Sequence, residues 1–385
     1  MINRMITHAL LDRLSQAPYG QLTVITPDGV SRVLGGVGEG ACTQVTLMDW
    51  GVARLLIRKG DIGLAEAYRD GRLVCPDLTQ LFLFGMQNQA VMGTVMDGGK
   101  IGILWSRFRY WLNRNTPSGS QQNIHAHYDI GNDFYRLWLD PSMTYSSALF
   151  HSDTDTLEVA QQQKYDRIIN RLGTSGSVLE IGCGWGGFAD RALQKGDFSL
   201  KGLTISDEQF AYATERLGGR ATIALEDYRH QVGQYDHIVS IEMFEAVGEA
   251  YWPTYFKAIK SLLAKGGNAI IQTIDIADDC FDRYRRTGDA IRTFIFPGGM
   301  LPSPSRFQAE AQRAGLTVTD RFSFGLDYAK TLGLWLSQFE RVGDDLMAMG
   351  FDQAFIRLWR FYLTLCRAGF LFQRTDVCQW ELSHS

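Results

Sequence analysis

From residue 177 onward the chain alternates short apolar runs with amphipathic stretches. The runs near 177–182, 199–205, 220–225, 236–241 and 267–275 read as strands, and the segments near 186–195, 206–217 and 250–264 read as helices. Alternation at that spacing predicts an α/β fold of βαβ units, with a mostly parallel sheet and helices on both faces. Beyond it, 316–324 reads as a strand, 324–328 as its exit, and 331–342 and 355–372 as helices. The front of the chain has another rhythm: a helical start, a strand at 21–26, a hairpin turn at Pro27-Asp28-Gly29, a strand at 44–47 and a helix over 50–58. Two domains are therefore expected. Residues 1–115 form a small mixed α/β accessory domain with a linker helix, and residues 116–385 form the larger α/β domain. The linker spans 96–127, and its stretch 100–112 mixes aromatics with arginines; that stretch reads either as a helix packed between the domains or as one lying at a bilayer interface.

Composition narrows the class. At 385 residues, 45% apolar and 21% charged, the chain resembles ordinary globular proteins. Its six cysteines are scattered without a C-x-x-C pair, which argues against a zinc site or disulfide framework and for a reducing compartment. Neither a secretory signal nor a run long enough to span a bilayer is present, so a cytoplasmic protein touching the inner face of the membrane is expected. Residues 1–115 carry 12 Lys/Arg against 9 Asp/Glu, whereas the remainder carries 26 against 33. That mildly basic front suits an anionic surface, and the excess is too small to indicate nucleic acid.

The candidate chemistry gathers around Val178-Leu179-Glu180-Ile181-Gly182-Cys183-Gly184-Trp185-Gly186-Gly187. Glycines at 182, 184 and 186 permit a tight turn and close approach of a ligand to the backbone. Their G-x-G-x-G spacing differs from the dinucleotide fingerprint, and the turn suits a neutral or cationic nucleoside, with Glu180 available to a positive group. The second strand ends in Thr204-Ile205-Ser206 with Gln209, not in the carboxylate that would hold a nicotinamide ribose. In such a fold ligands sit beyond the carboxyl ends of the strands, and 180–186, 204–209, 227–229, 242–245 and 272–274 all fall on that edge. His125 and His127 beside Asp129 lack a third ligand at metal spacing, so they read as loop residues and no metal is expected.

Several motifs in one chain carry a resemblance. Glu180 to Gly187, Gly202-Leu-Thr-Ile-Ser206, His127-Tyr-Asp-Ile-Gly-Asn-Asp-Phe134, Met243-Phe-Glu-Ala-Val-Gly248, Phe296-Pro-Gly-Gly-Met-Leu-Pro302 and Phe324-Gly-Leu-Asp-Tyr328 together resemble the cyclopropane-fatty-acyl-phospholipid synthases and the related mycolic acid methyltransferases. The resemblance spans essentially the whole chain, including Gly60 to Gly71 in the front domain. It implies a Rossmann-like methyltransferase sheet, S-adenosylmethionine as methyl donor, and the double bond of an unsaturated phospholipid acyl chain as acceptor. Tyr145, Ser146, Glu180, Gly182, Gly184, Thr204, Gln209, Asp227 and Tyr228 would cradle the donor, Glu180 near its amino acid portion and Asp227 with Tyr228 at the adenine. The family holds a bicarbonate as base, and Glu245, Ile274 and Tyr328 match three of its ligand positions. A cysteine and a histidine of that set are replaced by Ser147 and Gln272, which can still donate hydrogen bonds to an anion, and a further histidine is replaced by Ala246.

The expected product is a cyclopropane fatty acid; the alternative is the same transfer ending in a methyl-branched or methylated unsaturated chain. Two other classes compete: a lipid-binding protein that has lost catalysis, and a methyltransferase of small molecules. An aromatic-rich insert with Phe281, Tyr284, Phe294 and Phe296 reads either as core or as the lining of a slot for an apolar chain. No nucleic acid partner is expected, and a homodimer is compatible with the sequence.

Overall fold

The computed structural model describes residues 1–93 and 130–385. The expected linker helix at 100–112 and the loop with His125, His127 and Asp129 lie outside the described residues. The chain forms two compact units. The first comprises Met1–Leu112 together with Asp282–Pro297 and Phe339–Phe372; the second comprises Asn113–Phe281, Gly298–Gln338 and Gln373–Ser385. The front unit thus also takes two later stretches from the region expected to form the second domain.

In the first unit, helix α1 (Ile2–Leu14) leads to strands β1 (Tyr19–Ile25), β2 (Ser31–Gly35) and β3 (Gly38–Leu47), then α2 (Val52–Lys59), α3 (Asp61–Arg69), β4 (Leu73–Val74) and α4 (Leu78–Gln87). The sheet order is β2-β1-β3-β4. The hairpin closes where the turn chemistry predicts, with Ile25 opposite Ser31. The late helix Gln353–Leu371 adds Phe361 and Ala368 to the apolar core of this unit, where Phe361 meets the Phe82 ring edge-on at 5.0 Å.

The second unit begins with α5 (Asn132–Trp138) and α6 (Leu157–Leu172), then alternates β5 (Ser175–Ile181), α7 (Gly187–Lys195), β6 (Asp197–Thr204), α8 (Asp207–Leu217), β7 (Thr222–Leu225), β8 (Tyr235–Ile241), α9 (Trp252–Leu262) and β9 (Leu263–Ile276). It ends with α10 (Pro304–Arg313), β10 (Leu316–Ser323), α11 (Gly325–Arg341) and β11 (Thr375–His384). The seven strands run β10-β11-β9-β8-β5-β6-β7. Pairings from β9 to β7 are parallel, while β11 is antiparallel to both β9 and β10. Val178, Leu179, Ile238, Val239, Ile270 and Ile271 are fully buried, as expected of parallel strands covered on both faces.

Three features depart from the hydrophobic reading. Helix α6 was not anticipated because Gln161 and Lys164 share its buried side with Tyr165, Ile168 and Ile169 and interrupt the apolar stripe. Strand β11 places polar Gln379 in the sheet interior, which hides it from an apolar search. Helix α11 starts at Gly325, where an irregular exit was expected, with the Gly325 amide donating to Asp376 Oδ1 at 2.8 Å.

Candidate active site

The carboxyl edge of the large sheet gathers the polar residues singled out from the sequence. At the end of β5, Gly182, Gly184 and Gly186 all adopt positive φ, but for different reasons. A Cβ on Gly182 would meet Met243 Cγ at 2.9 Å, and one on Gly186 would press on Ala213 at 3.3 Å; a Cβ on Gly184 would meet nothing within 4 Å. Gly184 therefore faces the open space, whereas Gly182 and Gly186 serve packing. Glu180 is buried, and its Oε2 has no hydrogen-bond partner. Burial pushes its carboxyl well up, opposed by the charges of Lys164 and Arg216. A buried carboxyl with one unpartnered oxygen, close to an open glycine turn, fits a cationic nucleoside ligand such as S-adenosylmethionine.

The remaining donor-side residues make local networks. Thr204 Oγ1 donates to Gln209 Oε1 at 2.9 Å, at the start of α8, whose N-terminus is capped by Ser206. Both Asp227 oxygens engage Arg229, and the Tyr228 ring meets Tyr255 edge-on at 5.5 Å. Ser146 is buried, its hydroxyl accepting from Lys164 Nζ at 2.6 Å and its carbonyl from Gln161 Nε2 at 2.8 Å. Tyr145 keeps a partly accessible ring, set against Tyr135, Trp138 and Trp335 at 5.4–5.6 Å between centroids. Those three rings are fully buried, so only Tyr145 of this group borders open space. Of the aromatic insert, Phe281 is buried against Trp252 at 6.2 Å, whereas Tyr284, Phe294 and Phe296 keep partly accessible surface, Phe296 packing on Tyr362 at 5.8 Å in the first unit.

Glu242, directly after β8, falls in the edge segment 242–245 expected from the sequence but was not named there as a site residue. It is non-glycine yet sits at φ 52°. Its Oε1 accepts from the Ser147 amide at 2.8 Å and from Gln272 Nε2 at 2.7 Å, and its Oε2 accepts from the Tyr328 hydroxyl at 2.6 Å. Gln379 on β11 donates to Gln272 Oε1 at 3.0 Å, which turns the other end of that amide toward Glu242. The available signal was an acidic residue directly after a strand, one position before the Met243 motif.

Glu245 lies on the following turn and accepts from the Ile274 amide at 2.5 Å; its Oε2 makes no hydrogen bond. Both glutamates lie deep in the protein, but each retains some accessible surface, as the wall of a pocket does. Burial and then the Glu242 charge push Glu245 up to about 8. Burial raises Glu242 too, opposed by the Tyr328 hydroxyl, Lys164, the Ser147 amide and Gln272. Lys164, wholly buried, is pushed down to about 7 by burial.

Two expectations need correction here. The Ser147 hydroxyl donates to the Ala148 carbonyl at 2.9 Å and is not offered to an anion; only its amide points into the site. Gln272 and Tyr328, expected to hold bicarbonate, donate to Glu242 instead. A free anion would need the same donors and would add charge beside two carboxyl groups, so these residues do not fit bicarbonate. One cluster of potential metal ligands occurs among the described residues, Asp275, Asp376 and Cys378, and there Arg321 already sits 3.5 Å from Asp275 and 3.4 Å from Cys378 Sγ.

Comparison with known proteins gives this edge its context. Residues 116–380 match the family model of mycolic acid cyclopropane synthetase. A tuberculostearic acid methyltransferase, UfaA1, from Mycobacterium tuberculosis is 37% identical over 86% of this chain and 81% of its own. The cyclopropane-fatty-acyl-phospholipid synthase of Escherichia coli is 34% identical over 86% of this chain and 84% of its own. Among solved structures, the mycolic acid cyclopropane synthase CmaA1 complexed with SAH and CTAB superposes with a TM-score of 0.64 at 33% identity, covering 68% of this chain and 97% of that one. With one oxygen of the buried Glu180 unpartnered close to an open glycine turn in a sheet of this order, the chain belongs to the mycolic acid cyclopropane synthetase family and is an S-adenosylmethionine-dependent methyltransferase.

Proposed function

We propose that the chain methylates the double bond of an unsaturated fatty acyl chain carried by a membrane phospholipid, working at the inner face of the membrane. The observation that carries this reading is the cluster of Ser147, Glu242, Gln272 and Tyr328 beside the glycine turn: a largely enclosed proton acceptor next to a place for a cationic methyl donor. S-adenosylmethionine supplies an electrophilic methyl group when bound. Glu180 holds its cationic portion, Gly184 lets it approach the backbone, and the enclosed setting keeps water from competing with a weak alkene nucleophile. The partly accessible ring of Tyr145 offers its face to positive charge developing on the chain.

Two products remain in view. Loss of a proton from the new methyl closes a cyclopropane, the product named for the Escherichia coli synthase. Loss from a neighbouring chain carbon leaves a methyl-branched alkene. That second reading is favoured by the similarity to a tuberculostearic acid methyltransferase and by Ser147 and Gln272 standing where the resemblance expects a cysteine and a histidine. Proton NMR of acyl chains recovered from unsaturated phospholipid vesicles, incubated with the protein and S-adenosylmethionine, separates the two. High-field ring protons mean closure; a retained vinylic signal with a new methyl means branching. Unchanged acyl chains would sink the proposal.

A further inference from the structure

Glu242 is held by an unusual backbone conformation and three donors, with the buried Lys164 as its nearby counter-charge. A non-glycine residue at φ 52° is disfavoured, so the conformation is maintained against its own preference by the surrounding contacts. That conformation sends the carboxylate to the Ser147 amide, Gln272 Nε2 and the Tyr328 hydroxyl. Ser147, Gln272 and Tyr328 occupy positions that the resemblance assigns to the ligands of a free anion. The anion they grip is a side chain of the protein. Gln379 fixes the orientation of Gln272, and Arg167 NH1 in turn donates to Gln379 Oε1 at 2.7 Å, so the cradle is braced from β11 and α6.

We propose that Glu242 is the catalytic base of the reaction, a tethered carboxylate that replaces bicarbonate and frees the protein from any need for that anion. This rests on the acyl-chain reading above. The alkene electron pair forms the new carbon–carbon bond as the sulfonium releases its methyl, leaving S-adenosylhomocysteine and a cation on the adjacent chain carbon. Glu242 then takes a proton from the new methyl or from a neighbouring chain carbon. The C–H pair closes the ring or forms the double bond, and the resulting carboxylic acid returns its proton to water when the product leaves. The ionisable groups facing Glu242 are Glu245, Lys164 and Tyr328. Burial and the Glu242 charge raise Glu245 to about 8, while the three donors and Lys164 oppose the rise that burial causes at Glu242.

The test compares wild type, Glu242→Gly and Glu242→Gln on monounsaturated phosphatidylglycerol vesicles, in buffer stripped of carbon dioxide and then with bicarbonate added, following S-adenosylhomocysteine release. Glycine suits the local φ and glutamine keeps the size, so a thermal melt separates misfolding from chemistry. Wild-type turnover is expected to ignore bicarbonate. Both variants should lose about a hundredfold or more in kcat with S-adenosylhomocysteine affinity unchanged, and bicarbonate should restore part of the activity of Glu242→Gly alone. In parallel, ¹³C-bicarbonate line broadening should appear with Glu242→Gly and be absent with wild type. Bicarbonate dependence of wild type, or a variant that keeps its turnover, would overturn the role. A wild type inert on every unsaturated lipid would sink the acyl-chain reading and the base role with it, while the ¹³C experiment still reports whether Glu242 fills the anion's place.

Discussion

Glu242 and Glu245 sit one turn apart, and burial raises both carboxyls, but their oxygens meet different donors. Glu242 has three donors on its oxygens, whereas Glu245 has a single amide and an orphaned Oε2. At neutral pH Glu245 therefore carries a proton, and glutamine is close to its isostere. Glu245→Gln is expected to keep turnover within about tenfold, against the far larger loss in Glu242→Gln. The proton also has a stability consequence. Because folding raises Glu245 to about 8, the folded chain binds a proton that the unfolded chain releases above the ordinary value of 4.5. The stabilisation is full below the unfolded value and is lost as pH rises toward about 8. Melting temperature should accordingly fall across that window, and fall less in Glu245→Gln. An identical slope in the two proteins would refute this account.

At the level of elements, the strand-to-helix turn after β5 separates packing from binding. Gly182→Ala must displace Met243 in addition to adopting φ 82°, so it should lower the melting temperature measurably, at a cost of about 1–3 kcal/mol. Gly184→Ala, with open space at its Cβ, should cost less stability but weaken S-adenosylhomocysteine binding in calorimetry by tenfold or more. The reverse ranking would mean that the open side of Gly184 is not where the donor lies. The parallel strands and their helices were legible because their interiors are continuous apolar runs: Val178 and Leu179 announce β5 as Val239 announces β8. What was not legible is where polar residues go inside. Lys164 and Gln161 mask α6, Gln379 masks β11, and both elements brace the site. The family resemblance pointed to Ser147, Gln272, Ile274 and Tyr328, but it could not reveal that the carboxylate following β8 reaches three of them.

For the molecule as a whole, charge is divided along the chain: residues 1–115 are net positive, and the remainder is net negative. Among the described residues no helix is long and apolar enough to cross a membrane. If the substrate is a membrane phospholipid, surface attraction helps deliver the protein to it. Co-sedimentation with phosphatidylglycerol vesicles should then weaken as salt rises from about 0.05 to 0.5 M, a range over which screening of surface charge becomes nearly complete. Equal binding to neutral vesicles, indifferent to salt, would show that the asymmetry plays no part. The order of the large sheet has a consequence in time. Residues 375–384 enter between β9 and β10, strands made well before them in the chain, and they bring the Gln379 that turns Gln272 toward Glu242. A chain still emerging from the ribosome can fold its glycine turn and hold a methyl donor, but it cannot set its proton acceptor until that late segment is released. The capacity to take up the proton thus arrives with this strand, after the capacity to bind the donor.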